Sequence, residues 1–414
     1  VTGPLDPGTA AGTGQAAGIR TFLRGSTLAL AGEIRGWTRL QVSLLYRRAG
    51  SWLIEGPADG PLSRMEPGMG LIVVDHRGIP IWDPDGVLIS GDLDTQGPWS
   101  WSAEGGAAGG GTLQLTGGDD LQVVADELAF PVPTAPVSSQ TAAAYDARSG
   151  TAEAVIKAFV AANVGAARHA SRGDADVPNA RTLTVATNQN RGSATSFQAR
   201  WDPLMDIVRQ LGSTSTPELG VRVTQSPGGP LTFEVYEAVD RSDTVVFSPR
   251  RGLRSATVQR AAPTATHVVV AGAGEGSVRA FRERRDLAAA QQWRRIIRTF
   301  VDARQTDVPA ELDAAGDEEL ARGRRTGVMA ATAIDHPRCR FGRHFTLGDW
   351  VTVLAPSGVA YVEQVTGATI TVTDKGRDPT QLILGNPDGA EDTPESWAKA
   401  DRALDLIGAL QRRY

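Results

Sequence analysis

A chain of 414 residues, 41% of them hydrophobic, is long enough for two to four compact units and too apolar for wholesale disorder. Its 42 Lys and Arg against 47 Asp and Glu give a formal charge of -5, which excludes a protein whose main work is gripping a phosphate backbone, because that needs a concentrated basic face. The single cysteine, Cys339, excludes an intrachain disulfide framework and a multi-cysteine metal cage, and leaves the redox compartment open. No apolar run approaches the roughly 20 residues a membrane helix requires, and the first residues lack the basic-then-apolar layout of a signal peptide.

Gly, Ala, Thr and Pro dominate residues 1–18, so a mobile arm is expected there. From Leu40 the pattern alternates: Leu40, Val42, Leu44 and Tyr46 share a face, 47–50 turns, and Trp52 and Ile54 return. A second hairpin is predicted from Leu71–Val74 and Ile79–Trp82, followed by strands at 87–89 and 113–115, which together predict an antiparallel barrel or sandwich over 19–130. Three prolines within 131–137 predict a linker. Over 138–240 a small α+β unit is predicted. One helix is capped by Thr151, with Ala152, Val155, Ile156, Phe159 and Val160 on one face and Glu153 in its first turn. Another has Asp202 as N-cap, Pro203 as first helical residue, Leu204, Ile207, Val208 and Leu211 as its stripe, and Gly212 as its stop. A hairpin at 221–235 turns at Pro227-Gly-Gly.

Strand patterns resume over 244–386, at 245–247, 266–270, 278–281, 328–334, 350–354, 359–365, 369–373 and 382–384, and read as a second β-domain. A helical insertion at about 286–325 interrupts it. One of its helices carries Trp293, Ile296, Ile297 and Phe300 on a face, and the other opens at Asp307 with Pro309 and Glu311. Residues 392–414 predict a final helix with Trp397, Leu404, Ile407 and Leu410 along one stripe.

Chemistry-bearing motifs are sparse. Gly272, Gly274 and Gly276 follow a strand as a dinucleotide turn would, but the spacing is G-x-G-x-G and the next residues alternate, so a hairpin turn without nucleotide is expected. Asp335, His336, Cys339 and His344 gather the soft metal ligands, yet Arg338, Arg340 and Arg343 oppose a cation, and no metal is expected. Asp92 and Asp94 match either a hydrolase pair or calcium ligands in residue type only, and acidic turn residues are the expectation. Of the remaining histidines, His76 falls in a turn, His169 in a polar loop, and His267 in an apolar strand as a core residue. There is no nucleophile elbow, zinc-protease motif or Walker loop. Arg282–Arg285 with Arg294 and Arg295 forms a modest basic patch, expected to face solvent or a subunit. No catalytic, cofactor-binding or metal residue is assigned.

Four pieces, in order, resemble one family: Thr116–Leu121 through Leu128–Pro131, Ala143–Glu153, Ala262–Val270 through Gly274–Gly276, and Phe341–Gly342 with Leu347–Val353. Their order over about 19–386 is similar to that of the minor tail proteins forming the tail-tip hub in long-tailed phages of actinobacteria. The resemblance implies an α+β hub fold with two antiparallel β-barrel-like domains, an intervening α+β domain and helical insertions, similar to the hubs of contractile tails. It implies a homotrimeric ring in the virion tail tip. The expected partners are a distal tail or tail tube protein, a tape-measure protein, and central fibre or spike proteins, with DNA passing transiently and no membrane. The chain departs from larger hubs in ending on a helix, so a cell-wall hydrolase is expected to be a separate protein. Two other classes are weighed, a receptor- or carbohydrate-binding tail module and an enzyme acting on the cell wall.

Overall fold

The computed structural model describes residues 18–75, 87–100, 111–166, 168, 172, 180–225, 228–259, 262–274, 278–324 and 328–385. The expected N-terminal arm, the strand at 79–82, Pro227, the C-terminal helix, His76, His169 and Gly276 lie outside them. The described chain divides into two compact units, one from residues up to Arg254 together with Thr332–Ile383, the other from Ser255–Ala331.

In chain order the first stretch carries β1 (Ile19–Arg24), β2 (Leu30–Ile34), β3 (Arg39–Leu45), β4 (Ser51–Pro57), β5 (Gly70–Asp75), β6 (Val87–Ser100), β7 (Thr112–Gly118), the helical turn α1 (Gln122–Ala125) and β8 (Leu128–Ala129). The middle stretch has β9 (Asp146–Thr151), α2 (Ala152–Val164), β10 (Thr184–Val185), β11 (Ala194–Ala199), β12 (Asp202–Pro203), α3 (Leu204–Thr214), β13 (Leu219–Gln225) and β14 (Leu231–Glu237). Next come β15 (Val246–Phe247) and β16 (Leu253–Gln259). The smaller unit follows with β17 (His267–Ala271), β18 (Phe281–Arg285), α4 (Leu287–Trp293), β19 (Arg298–Asp302) and α5 (Pro309–Arg324). The chain closes with β20 (Val328–Ile334), β21 (Trp350–Leu354), β22 (Ala360–Thr373), β23 (Gly376–Arg377) and β24 (Gln381–Gly385).

The larger unit is organised by one sheet in which β22, β3, β4, β7, β6, β5, β1 and β2 lie side by side. Its first strands form as their alternation predicts: Leu40, Val42, Leu44, Tyr46, Trp52, Ile54, Leu113 and Leu115 are all buried. Register stacks them in rows, Val372 beside Leu40 beside Ile54 beside Leu115, and Ile370 beside Val42 beside Trp52 beside Gly117. A glycine is required at the end of the second row. A Cβ on Gly117 would lie 2.4 Å from the Trp52 ring and 2.1 Å from the Asp92 carbonyl oxygen.

The segments expected at 359–365 and 369–373 are one 14-residue strand, β22. Its first residues pair with β21 and its last seven with β3, so late strands continue the sheet of early ones. The strand pairing does not establish the two barrel-like domains that were expected: no pairing among the described residues closes either set of strands into a barrel.

In the middle stretch, Thr151 caps α2 by accepting the Ala154 amide, and Val155, Ile156, Phe159 and Val160 enter a core shared with Leu204, Ile207, Val208, Leu211 and Phe233. The capping expected for α3 is corrected. Asp202 and Pro203 pair with Ala129 and Leu128, the Asp202 carboxylate accepts from the Arg200 amide, and the helix begins at Leu204 without a side-chain cap. Gly212 does not stop α3, which runs on to Thr214. A Cβ there would lie 2.7 Å from the Leu219 carbonyl oxygen and 3.2 Å from Nε of Arg47, so close approach explains this glycine.

In the smaller unit β17 lies between antiparallel β18 and parallel β19, and Val268, Val270, Leu312 and Leu320 form the core under α5. Two expectations are corrected. The strand expected at 278–281 starts at Phe281 and runs through the arginine-rich 282–285. The helix expected through Phe300 ends at α4, where Arg294 turns left-handed, and Arg298–Asp302 is a strand because Thr299 and Val301 alternate with Phe300 at period two.

Candidate functional site

The densest polar construction in the larger unit is an ionic joint around Arg24, the last residue of β1, whose side chain is fully buried. Its guanidinium donates to both Asp120 oxygens at 2.6 and 2.7 Å, to Asp92 at 2.7 Å and to Gln225 of β13 at 3.0 Å. Asp120 also accepts from the Ser90 hydroxyl at 2.5 Å. Burial alone would lower the Arg24 pKa, but the charges and hydrogen bonds of Asp120 and Asp92 outweigh it and hold the group charged. Asp92 is gripped from the other side by Arg181, at 2.6 and 2.8 Å, and Arg181 donates further to the carbonyls of Ser26 and Gly68. The joint therefore ties β1, β6 and the turn after β7 to the middle stretch of the chain.

Two more joints repeat the device. Arg47, in the turn after β3, donates to the carbonyls of Leu219 (2.7 Å) and Gly212 (3.0 Å), to Glu218 (2.6 Å) and to the Tyr46 hydroxyl (2.8 Å). Asp349, fully buried before β21, accepts from the amides of Val239 and Thr346 and from Arg241 at 2.8 Å. Sequence reasoning did not find Arg24, Arg47 or Asp349 as joints. The available signal was their position, a charged residue at the end of, or directly before, an apolar alternating strand.

Asp92, Asp94, Asp119, Asp120, Asp126, Glu127, Arg168 and Arg181 line a cavity of about 320 Å³. Its carboxylates are already engaged. Asp92 is pinned between two arginines, which hold its pKa down against burial; Asp94 is pushed up by burial and by the Asp126 and Asp92 charges. Asp119, pushed up to about 7 by burial, accepts from the amides of Gly50 (2.7 Å) and Leu121 (2.9 Å). Glu127 accepts from Arg168 at 2.7 Å. Two arginines on Asp92 are the opposite of what a calcium site or a catalytic carboxylate pair needs.

His336 and Cys339 face each other across a tight turn, bonded backbone to backbone. Nδ1 of His336 accepts the Arg338 amide (3.3 Å) and Nδ1 of His344 the Arg340 amide (2.8 Å), while the rings of Phe247, Phe341 and Phe345 stack edge to face alongside. The His344 pKa is lowered by burial and by Arg343 and Arg340. Among the described residues no group of three or more His, Cys, Asp or Glu is placed to hold a metal ion. Gly272 and Gly274 form the turn from β17 towards β18, with the Gly272 amide bonded to the Ala280 carbonyl and Gly274 at φ +102. Among the described residues the next named element after this turn is β18, not an α-helix that could receive a pyrophosphate.

A model of the siphovirus ReqiPepy6 Gp37-like protein family matches residues 20–386. The chain belongs to that family. Two solved structures share its fold over nearly their whole length. The tail protein from Neisseria meningitidis MC58 aligns with a TM-score of 0.53 at 14% identity, over 89% of this chain and 97% of that one. The 43 kDa tail protein of prophage MuSo2 from Shewanella oneidensis aligns with a TM-score of 0.53 at 13% identity, over 90% of this chain and all of that one. No curated relative matches by sequence. The resemblance read from the ordered pieces of the sequence is borne out at the level of family and fold. Two of those pieces prove to be joints: Asp119 and Asp120 belong to the first, and Gly348-Asp349-Trp350 to the last.

Proposed function

We propose that this chain is a non-enzymatic structural protein of a siphophage tail, forming the homotrimeric hub ring at the tail tip. The observation that carries this reading is a fold held in common with phage tail proteins over 89–90% of this chain, which belongs to a siphovirus family. The internal organisation agrees with it. Buried arginines and carboxylates are spent on holding segments together, as a part that bears load without turning over substrate requires.

In this reading the strands of 19–130 and of 244–386 are two barrel-like halves, joined where β22 pairs with β3. Three copies then present six quasi-equivalent segments around a channel, and closing the ring leaves no interface unsatisfied. The partners are a distal tail or tube protein above, tape-measure protein and DNA in passage, and fibre or spike proteins below. No metal, nucleotide or other cofactor takes part. Mass measurement of the purified chain tests the ring directly: a trimer is the expected species, and a strict monomer at high micromolar concentration contradicts it. Release of soluble fragments from purified host cell wall would establish the enzymatic alternative instead.

A further inference from the structure

On one face of its sheet the smaller unit leaves side chains of the outer strands exposed. α5 packs on the side of Val268, Val270, Arg282 and Arg284, where Arg282 and Arg284 pair with Asp313 and Asp317. On the opposite side the register places Phe281 beside Ala271 and Phe300 beside Val269, and Phe281 and Phe300 are 58% and 56% exposed. Leu287, just after β18, and Ile296, just before β19, are also 57% and 60% exposed, and α4 buries none of its residues. Two exposed phenylalanines on the outer strands that flank β17, with a helix that has no buried face nearby, are a surface shaped for a partner.

Charge narrows the choice of partner. Leaving out Arg282 and Arg284, which lie under α5, residues 278–304 hold six arginines and three acidic residues, a net +3 in a chain whose total is -5. Residues 386–398, the continuation beyond β24, hold four acidic residues and no basic one. The sequence then runs into the stripe of Trp397, Leu404, Ile407 and Leu410. A helix over 394–410 would be about 25 Å long, enough to cross three strands spaced about 4.8 Å apart and reach past their ends. We infer that the C-terminal segment 386–414 of this chain is the occupant of the open face, its acidic part against the arginine-rich rim and its apolar stripe on Phe281, Phe300 and Ile296. This seating is independent of the ring.

Full-length chain carrying Phe300→Cys and Leu404→Cys, with Cys339 left in its buried place, tests the seating by mild oxidation. Efficient disulfide formation is expected, at least tenfold above a control pairing Leu404→Cys with Arg322→Cys on α5. A monomer band assigns the segment to its own chain and a dimer band to a neighbouring copy, and either supports the inference. Adding Phe281→Asp should remove the cross-link while circular dichroism stays unchanged. Cross-linking at Phe300 no greater than at the control position overturns the inference, and would mean that a different protein covers this face.

Discussion

Replacing Arg24 by methionine tests the joint most sharply. The guanidinium has no exposed surface and compensates Asp120, whose side chain is 1% exposed; Asp92 retains Arg181 at 2.6 Å whether or not Arg24 is present. The substitution therefore strands one buried carboxylate, Asp120, which keeps its bond from the Ser90 hydroxyl. Breaking a buried pair in this way costs about 3–5 kcal/mol, whereas replacing both partners by neutral residues costs much less. Arg24→Met should thus lose about 4 kcal/mol in urea unfolding followed by tryptophan fluorescence. Arg24→Met combined with Asp120→Asn should recover about half of that, because the stranded charge is gone. A loss below about 1 kcal/mol for the single variant, or a double variant no more stable than the single, would refute the view that a compensated buried charge organises this region.

Gly117→Ala should destabilise by about 3 kcal/mol through overpacking against Trp52 and the Asp92 carbonyl, while Gly118→Ala, whose nearest neighbour would be 3.5 Å away, should cost less than about 1 kcal/mol; equal losses in thermal unfolding would contradict the steric argument. Asp119 keeps its proton in the fold up to about pH 7, whereas the unfolded chain releases it near pH 4. The folded state then binds more protons between those values, so this group's contribution falls as pH rises through that window, by on the order of 4 kcal/mol. Asp119→Asn should flatten the stability profile there, and an unchanged slope would show that Asp119 ionises normally. Metal analysis of purified protein should give well below one zinc per chain, and stoichiometric zinc lost with Cys339→Ala would expose a site at 336–344.

The legible part of the fold was the part governed by periodicity. The alternating run Leu40–Tyr46 and the capped helix after Thr151 stand where residue spacing placed them, because in both cases one face is buried and the pattern records it. Spacing misled at Trp293–Phe300. Apolar residues three and four apart there imitate a helical stripe, but β19 is held by parallel pairing to β17, a contact distant in sequence that local pattern cannot contain. Tertiary pairing likewise joined β22 to β3 across more than 300 residues. Asp202 looked like a cap because its neighbours fit one, and the competing strand pairing with Ala129 was equally non-local. The ionic joints were invisible for the same reason. Arg24, Asp120 and Gln225 mean nothing until the fold brings them together.

Cryo-microscopy of intact siphophage tails carrying this chain tests the central claim most directly. Three copies in a ring around the tail channel at the tip are expected, with strands of 19–130 and 244–386 alternating around the lumen and no bound DNA density on a continuous basic stripe. Six copies stacked in the tube, or copies confined to a peripheral spike, would contradict it.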